Sequence, residues 1–405
     1  MKDKSIAVSY KTFRGNCESW LRVVRYNESG IVINFVGDHF YTIPQMLLDK
    51  KLTKEALGRY HNRYILLYSE LSSSTSLEDL RQQLLQAAIA RKINLHVDDS
   101  FEELLETIIK EGYEIAYFIS RVENFFMEKS NLLSKLEFLA RNHRISFLYF
   151  SELNLSNPQF HEQQREYTSM FQNIIYQEIY DQHNAEEFVT FNENLWDVTL
   201  PSSLKTRVLQ ECGGNLWLLR QAVRLYRNNQ NISIEHILKA PELLTKAVAS
   251  WNQLFPNEQK VIEELIFSDQ QNVSDVAALD YLFRIKLLVR EGLSCKLTIP
   301  LLKIASQKTI QKDGFYIERG NTYYNNSNLS NVLTYKEEQL LRFFMKNTRT
   351  LVKREKICEV VWNSEEVTDW ALEKTISKLR KKLISVGLPR EVLTTKKGVG
   401  YVFNA

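Results

Sequence analysis

Four short runs in the first 150 residues, 30–36, 64–68, 115–119 and 145–150, are apolar almost throughout. The segments between and after them, 43–50, 76–91, 101–111 and 130–142, return to apolar residues every three or four positions. Continuous apolar runs alternating with helical patterns predict a parallel α/β sheet covered by helices on both faces. Thr75 or Ser76 can cap the second of these helices, with Glu78 or Asp79 in its first turn. Residues 188–191, Phe-Val-Thr-Phe, read as a further strand. Further on, Gly213-Gly214 closes one helix and Asn215 caps the next, whose apolar face is Leu216, Leu219, Val223 and Tyr226. Residues 250–312 combine helices with two apolar stretches, 287–293 and 297–302, and the Asn/Ser-rich 325–328 reads as a hairpin turn or short joint.

The tail, residues 333–403, has the clearest pattern: three helices and a hairpin. Thr334 and Glu337 form a capping-box pair ahead of Leu340, Leu341, Phe343 and Phe344. A second helix over 353–361 buries Ile357, Val360 and Val361. A third begins near Thr368-Asp369, with Leu372, Ile376, Leu379 and Leu383 spaced four, three and four apart. That spacing leaves Trp370, Lys374, Thr375, Lys378, Arg380 and Lys381 on other faces. Residues 392–395 and 401–403 then read as two strands joined by Lys396-Lys397-Gly398-Val399-Gly400. The major groove admits one α-helix, and lysines at a hairpin tip can reach the neighbouring minor groove or its phosphates. A basic helical face alone is most often merely solvated; the hairpin behind it turns the reading towards double-stranded DNA.

Charge agrees with that reading. Residues 333–405 hold 15 Lys+Arg against 9 Asp+Glu, a net of +6, and the rest of the chain carries a net of −3. A positive field confined to one small module favours a polyanion there. The length of 405 residues favours two to four domains. Cys17, Cys212, Cys295 and Cys358 form no CxxC pair and have no histidines at zinc spacing, so free thiols in a reducing cytoplasm are expected, with no metal. No apolar run reaches the length that spans a bilayer, and Met1-Lys2-Asp3-Lys4 is followed by no apolar signal core. The expected location is cytoplasmic, with no membrane partner.

A phosphate-binding loop would follow the first strand. There the chain reads Val36-Gly37-Asp38-His39, with one glycine and no lysine, so no nucleotide-binding loop is expected. The strand 115–119 leads to Ser120-Arg121-Val122-Glu123, without the aspartate that would hold Mg²⁺. A phospho-receiver's acidic pair and strand-ending aspartate are missing, as are GxSxG and HExxH. No catalytic residue and no cofactor are therefore expected, and the chain is not read as an enzyme.

The segments LTYKEEQLLRFFMKN, VKREKICEVVW, LEKTISKLRKKL and TTKKGVGYVF resemble the OmpR/PhoB-type winged helix of bacterial response regulators. The resemblance implies that the third helix is a recognition helix and the hairpin its wing. Trp370, Thr375, Lys378 and Arg380 then stand at positions that face DNA in the family, and Lys397 stands at the wing position usually held by arginine. It also implies a small antiparallel sheet ahead of the first helix, from Phe315-Tyr316-Ile317-Glu318 and Thr322-Tyr323-Tyr324, with the module starting near Gly314. The loop 363–367, which in relatives often touches RNA polymerase, is short here, and Trp370 replaces a residue that is usually polar or basic. Upstream, the strand 115–119 running into Ser120-Arg121-Val122-Glu123 and the turn Cys212-Gly213-Gly214-Asn215-Leu216 resemble a decayed AAA+-like STAND ATPase: an α/β domain over 1–190 lacking its phosphate loop, a helical lid-like subdomain over 191–250, and a degenerate winged helix over 251–312 whose helices carry Asp269, Asp275 and Asp280. The winged helix-turn-helix then occupies 313–405. The function expected is a sequence-specific transcription regulator whose DNA-binding set is Trp370, Lys374, Thr375, Lys378, Arg380, Lys381, Lys396 and Lys397. An inactive ATPase-like platform would serve oligomerisation or sensing. A homo-oligomer, and contact with RNA polymerase or a signalling protein, go with it. The alternative is a nucleotide-dependent STAND-type switch controlling DNA binding.

Overall fold

The strands that the apolar runs predict assemble into one parallel sheet. In the computed structural model, which describes residues 8–72, 74–267, 273–292, 294–309, 315–318, 321–324, 327–330, 332–362, 369–386, 388–396 and 399–404, contacts divide the chain into two units, Met1–Ser306 and Gln307–Ala405. The first contains β1 (Gly30–Ile33), β2 (Tyr64–Glu70), β3 (Glu114–Ser120), β4 (Ile145–Ser151) and β5 (Ile174–Tyr176). Their order is β2-β3-β4-β1-β5, and every neighbouring pair is parallel.

Alternation along these strands sorts side chains between two layers. Ile31, Ile115, Tyr117, Ile119, Phe147 and Tyr149 face one core. It is closed by α4 (Leu77–Ala90), α5 (Phe101–Lys110) and α6 (Asn131–Asn142). Val32, Ala116, Phe118, Leu148 and Phe150 face a second core, closed by α1 (Tyr10–Arg25), α2 (His39–Leu48) and α3 (Lys50–Leu57). Ser76 caps α4 and Ser100 caps α5, each in a full capping box.

Two expectations shift in this unit, and a third in the tail, where Val360, expected to be buried with Ile357 and Val361, is 42% exposed. Residues 188–191 are not a strand: they lie inside α7 (Gln182–Trp196), capped by Asp181. Its buried positions, Ala185, Phe188, Val189 and Asn192, recur at three- and four-residue steps, so the helical period outweighs the local β propensity. The helix expected over 43–50 begins earlier, at His39, and α3 follows it. Gly213 closes α8 (Ser202–Cys212), and Asn215 caps α9 (Leu216–Asn228) by accepting from the Trp217 and Leu218 amides. After α10 (Ile234–Lys239) and α11 (Pro241–Trp251) come α12 (Pro256–Ile262), α13 (Val276–Arg284), the hairpin β6 (Leu288–Glu291) and β7 (Ser294–Leu297), and α14 (Leu301–Thr309). Asp275 caps α13 and Asp280 pairs with Arg284 at 2.6 Å.

The second unit opens with antiparallel strands β8 (Phe315–Glu318), β9 (Asn321–Tyr324) and β10 (Ser327–Asn328). Helices α15 (Tyr335–Lys346), α16 (Arg354–Trp362) and α17 (Asp369–Ser385) follow, with β11 (Leu351–Lys353) between the first two. The hairpin β12 (Leu393–Lys396) and β13 (Gly400–Phe403) lies beside β11 in the order β11-β13-β12. Leu340, Leu341, Phe344, Ile357, Leu372, Ile376, Leu379, Leu383, Tyr401 and Phe403 form its core. A Cβ on Gly400 would come within 2.1 Å of the Val352 carbonyl oxygen, so the close approach of β11 to β13 requires glycine there. Residues 1–4, Asp269, Gly314, 325–326, 363–367, Thr368, Lys397 and Gly398 lie outside the described residues.

Candidate nucleic-acid interface

Helix α17 has two opposed faces. Leu372, Ile376, Leu379 and Leu383 are buried, at most 1% exposed. At 3.6 residues per turn the opposite side carries Trp370, Lys374, Ser377, Lys378 and Lys381, all exposed. Trp370 is 68% exposed, and the Lys374 ammonium sits 4.2 Å from its ring centroid. Such a cation–π contact holds both groups on the surface at little cost. Lys396, at the end of β12, is exposed on the hairpin.

The other expected site residues sit differently. Thr375 is half-buried on the shoulder of the helix and donates its hydroxyl to the Ala371 carbonyl at 2.9 Å. Arg380 turns toward the hairpin: Nε donates to the Leu393 carbonyl and Nη2 to the Thr395 hydroxyl, each at 2.7 Å. Burial pushes its guanidinium below the usual arginine range. Arg380 thus ties the hairpin to α17. Lys382 faces inward, donating at 2.5 Å to Glu337, a carboxylate 2% exposed that also accepts the Thr334 amide at 2.8 Å. Burial raises the Glu337 carboxyl, but the bonds from Lys382 and Thr334 outweigh it and leave the group below the ordinary carboxylate range. These two braces were not apparent in the sequence, where all basic residues of the helix look alike. Phase against the apolar positions is the signal that separates them.

The turn after β1 was also a candidate, as the place for a phosphate loop. Gly37 has φ +71°, and a Cβ there would lie 2.7 Å from a Glu152 carboxylate oxygen. Asp38 follows; its carboxylate accepts Asn34 Nδ2 at 2.8 Å and the Tyr180 hydroxyl. Glu123, after β3, accepts the Glu152 amide at 2.6 Å; burial pushes its carboxyl up. The nearest cation of that strand end, Arg121, is paired with Glu70 at 2.6 Å. Three carboxylates and no lysine surround the turn, so the residues do not fit a nucleotide triphosphate. His39, the first residue of α2, is fully buried against Phe150, and neither ring nitrogen has a hydrogen-bond partner. Burial drops its pKa to about 3.

Residues 329–403 match the family model described as transcriptional regulatory protein, C terminal. The tail is therefore an OmpR/PhoB-type winged helix, and the upstream unit is a five-stranded parallel α/β sheet with helices on both faces. None of the curated proteins matches the chain. Among solved structures the chain is similar to a Walker-type ATPase of Pyrococcus abyssi, with 11% identity and a TM-score of 0.46 over 75% of this chain and 96% of that one. It is also similar to the ADP form of the Aeropyrum pernix ORC2 protein, with 12% identity and a TM-score of 0.40 over 96% of this chain and 88% of that one. A third similarity is to domain III of the Thermotoga maritima replication initiation protein DnaA, with 12% identity and a TM-score of 0.36 over 61% of this chain and 97% of that one. Among the described residues no helix is long and apolar enough to cross a membrane.

Proposed function

We propose that this chain is a sequence-specific transcription regulator that lays α17 in the major groove of DNA and sets its hairpin on the neighbouring backbone. The observation that carries this is the exposed stripe Trp370, Lys374, Lys378 and Lys381, set opposite the buried face of the same helix. Lysines along that stripe and Lys396 on the hairpin suit phosphate contacts, while Trp370 and Ser377 are free to meet base edges. Arg380 acts by holding the wing, with its remaining nitrogen available to a phosphate, and Thr375 lies at the rim. Lys397 completes the wing in this proposal. The upstream α/β unit serves as an oligomerisation or sensing platform without catalysis. The carboxylates around Gly37 support that over a nucleotide-driven switch. RNA polymerase or a signalling protein is the partner through which such a regulator would act.

Duplexes selected from a random library, titrated by fluorescence anisotropy at several salt concentrations, test the reading. Neutralising four phosphates with Lys374, Lys378, Lys381 and Lys396 alone gives a log-affinity against log-salt slope of about −3.6 per bound chain, and a phosphate contact by Arg380 or Lys397 adds about −0.9 each. Each Lys→Gln change should reduce that slope by about 0.9. A slope near zero overturns the proposal.

A further inference from the structure

A cavity of about 250 Å³ opens beside α2. Phe13 of α1, Tyr41 of α2, Phe188 of α7 and Leu216 and Trp217 of α9 form its walls. The Tyr41 and Trp217 rings lie 6.0 Å apart, tilted by 48°. Two charged groups reach it, Asp38 and Arg220. Asp38 is already satisfied by Asn34, Thr42 and Tyr180. Arg220 is half-buried, lies 5.7 Å from the Trp196 ring, and makes no hydrogen bond or ion pair among the described residues.

We propose that this cavity binds a two-ring molecule bearing one negative charge, its rings against Tyr41, Phe188 and Trp217 and its anionic group on Arg220. A cavity of roughly 150 Å³ holds benzene, so this one has room for a fused pair of rings. Apolar walls with a few convergent polar groups are what small-molecule sites share. An arginine whose guanidinium N–H groups have no hydrogen-bond or ion-pair partner among the described residues can fix one carboxylate bidentately, whereas a polyphosphate would meet the Asp38 carboxylate at the mouth of α2. The site gives the sensing role proposed above its ligand class, and rests on that role only for its regulatory meaning.

Titration calorimetry on the full chain without DNA tests it, with 2-naphthoate as probe, 2-naphthylmethylamine as the cationic counterpart and Mg-ADP as the polyanion. Naphthoate should bind at least tenfold more tightly than either of the others. Arg220→Gln should weaken naphthoate at least tenfold and Arg220→Lys should restore part of the loss, with the unfolding temperature of the unliganded variants confirming that the fold is kept. Absence of naphthoate binding, equal binding of the amine or ADP, or an unchanged affinity in Arg220→Gln overturns the proposal. Because DNA is absent, failure here leaves the salt titration standing, and failure there leaves this cavity standing.

Discussion

His39 shows how far one residue can depart from its ordinary chemistry. It starts α2, yet its ring is packed between Phe40 and Phe150 and both nitrogens are unpartnered. A buried polar group without a partner costs about 1–3 kcal/mol. Its pKa falls to about 3 in the folded chain, against about 6.5 unfolded. The unfolded chain therefore takes up a proton as pH drops below about 6.5 while the folded one does not, and stability is lost in that direction. His39→Leu, of similar volume, removes the effect. It should unfold at higher temperature than the parent chain, and the gap should widen by about 2 kcal/mol between pH 6.5 and 5. Glu258 is the counterweight. Burial pushes its carboxyl up to about 7, although Asn154, Asn157 and the Phe255 amide donate to it. Its contribution is lost as pH rises from the ordinary carboxylate range towards 7, but it is common to both proteins and cancels in the comparison. Thermal unfolding of the pair at matched pH values checks the difference.

Among the elements, α17 separates outward-facing cations from bracing ones. Lys378 is exposed on the outward stripe, whereas Arg380, two residues on, holds β12 through two hydrogen bonds. Lys378→Gln should weaken DNA binding and leave the unfolding temperature of the tail unchanged. Arg380→Ala should do both kinds of damage, costing about 1–2 kcal/mol of stability because hydrogen bonds from a charged donor are lost while its half-exposed position limits the loss. Equal unfolding temperatures for the two variants would show that Arg380 is not a brace. The helices of the tail were legible because the 4-3-4 spacing of Leu372, Ile376, Leu379 and Leu383 leaves one choice of buried face. The three central strands, β1, β3 and β4, were legible because they are buried on both sides, and β2, at the sheet edge, because its apolar run is unbroken. Less legible were β5, only three residues long with Ile174 exposed at the sheet edge, and β11, also three residues long. The error at 188–191 has the same origin: four β-forming residues carry less information than the helical period that runs through them from Ala185 to Asn192. Of the candidate interface, the sequence supplied the exposed stripe, but not the roles of Arg380 and Lys382, whose partners lie 13 and 45 residues away.

For the whole molecule, charge and cores divide the same way. Gln307–Ala405 holds 18 Lys+Arg and 11 Asp+Glu, a net of +7, and Met1–Ser306 a net of −4. The groups that would release counterions from DNA thus sit on one unit, while the large apolar core belongs to the other. If the upstream unit pairs chains, as proposed, the two roles have separable signatures in salt. On a duplex with a single site, the tail alone and the full chain should give the same slope, because each neutralises the same phosphates. On a duplex with two sites one helical turn apart, a paired full chain engages both, so its slope should be twice that of the isolated tail measured on one site. Its affinity should rise beyond that of a single contact, because the second is made within the same complex. Anisotropy titrations of the two proteins on the two duplexes give four slopes. Equal slopes for the full chain on both duplexes would remove the pairing role from the upstream unit and leave sensing as its function.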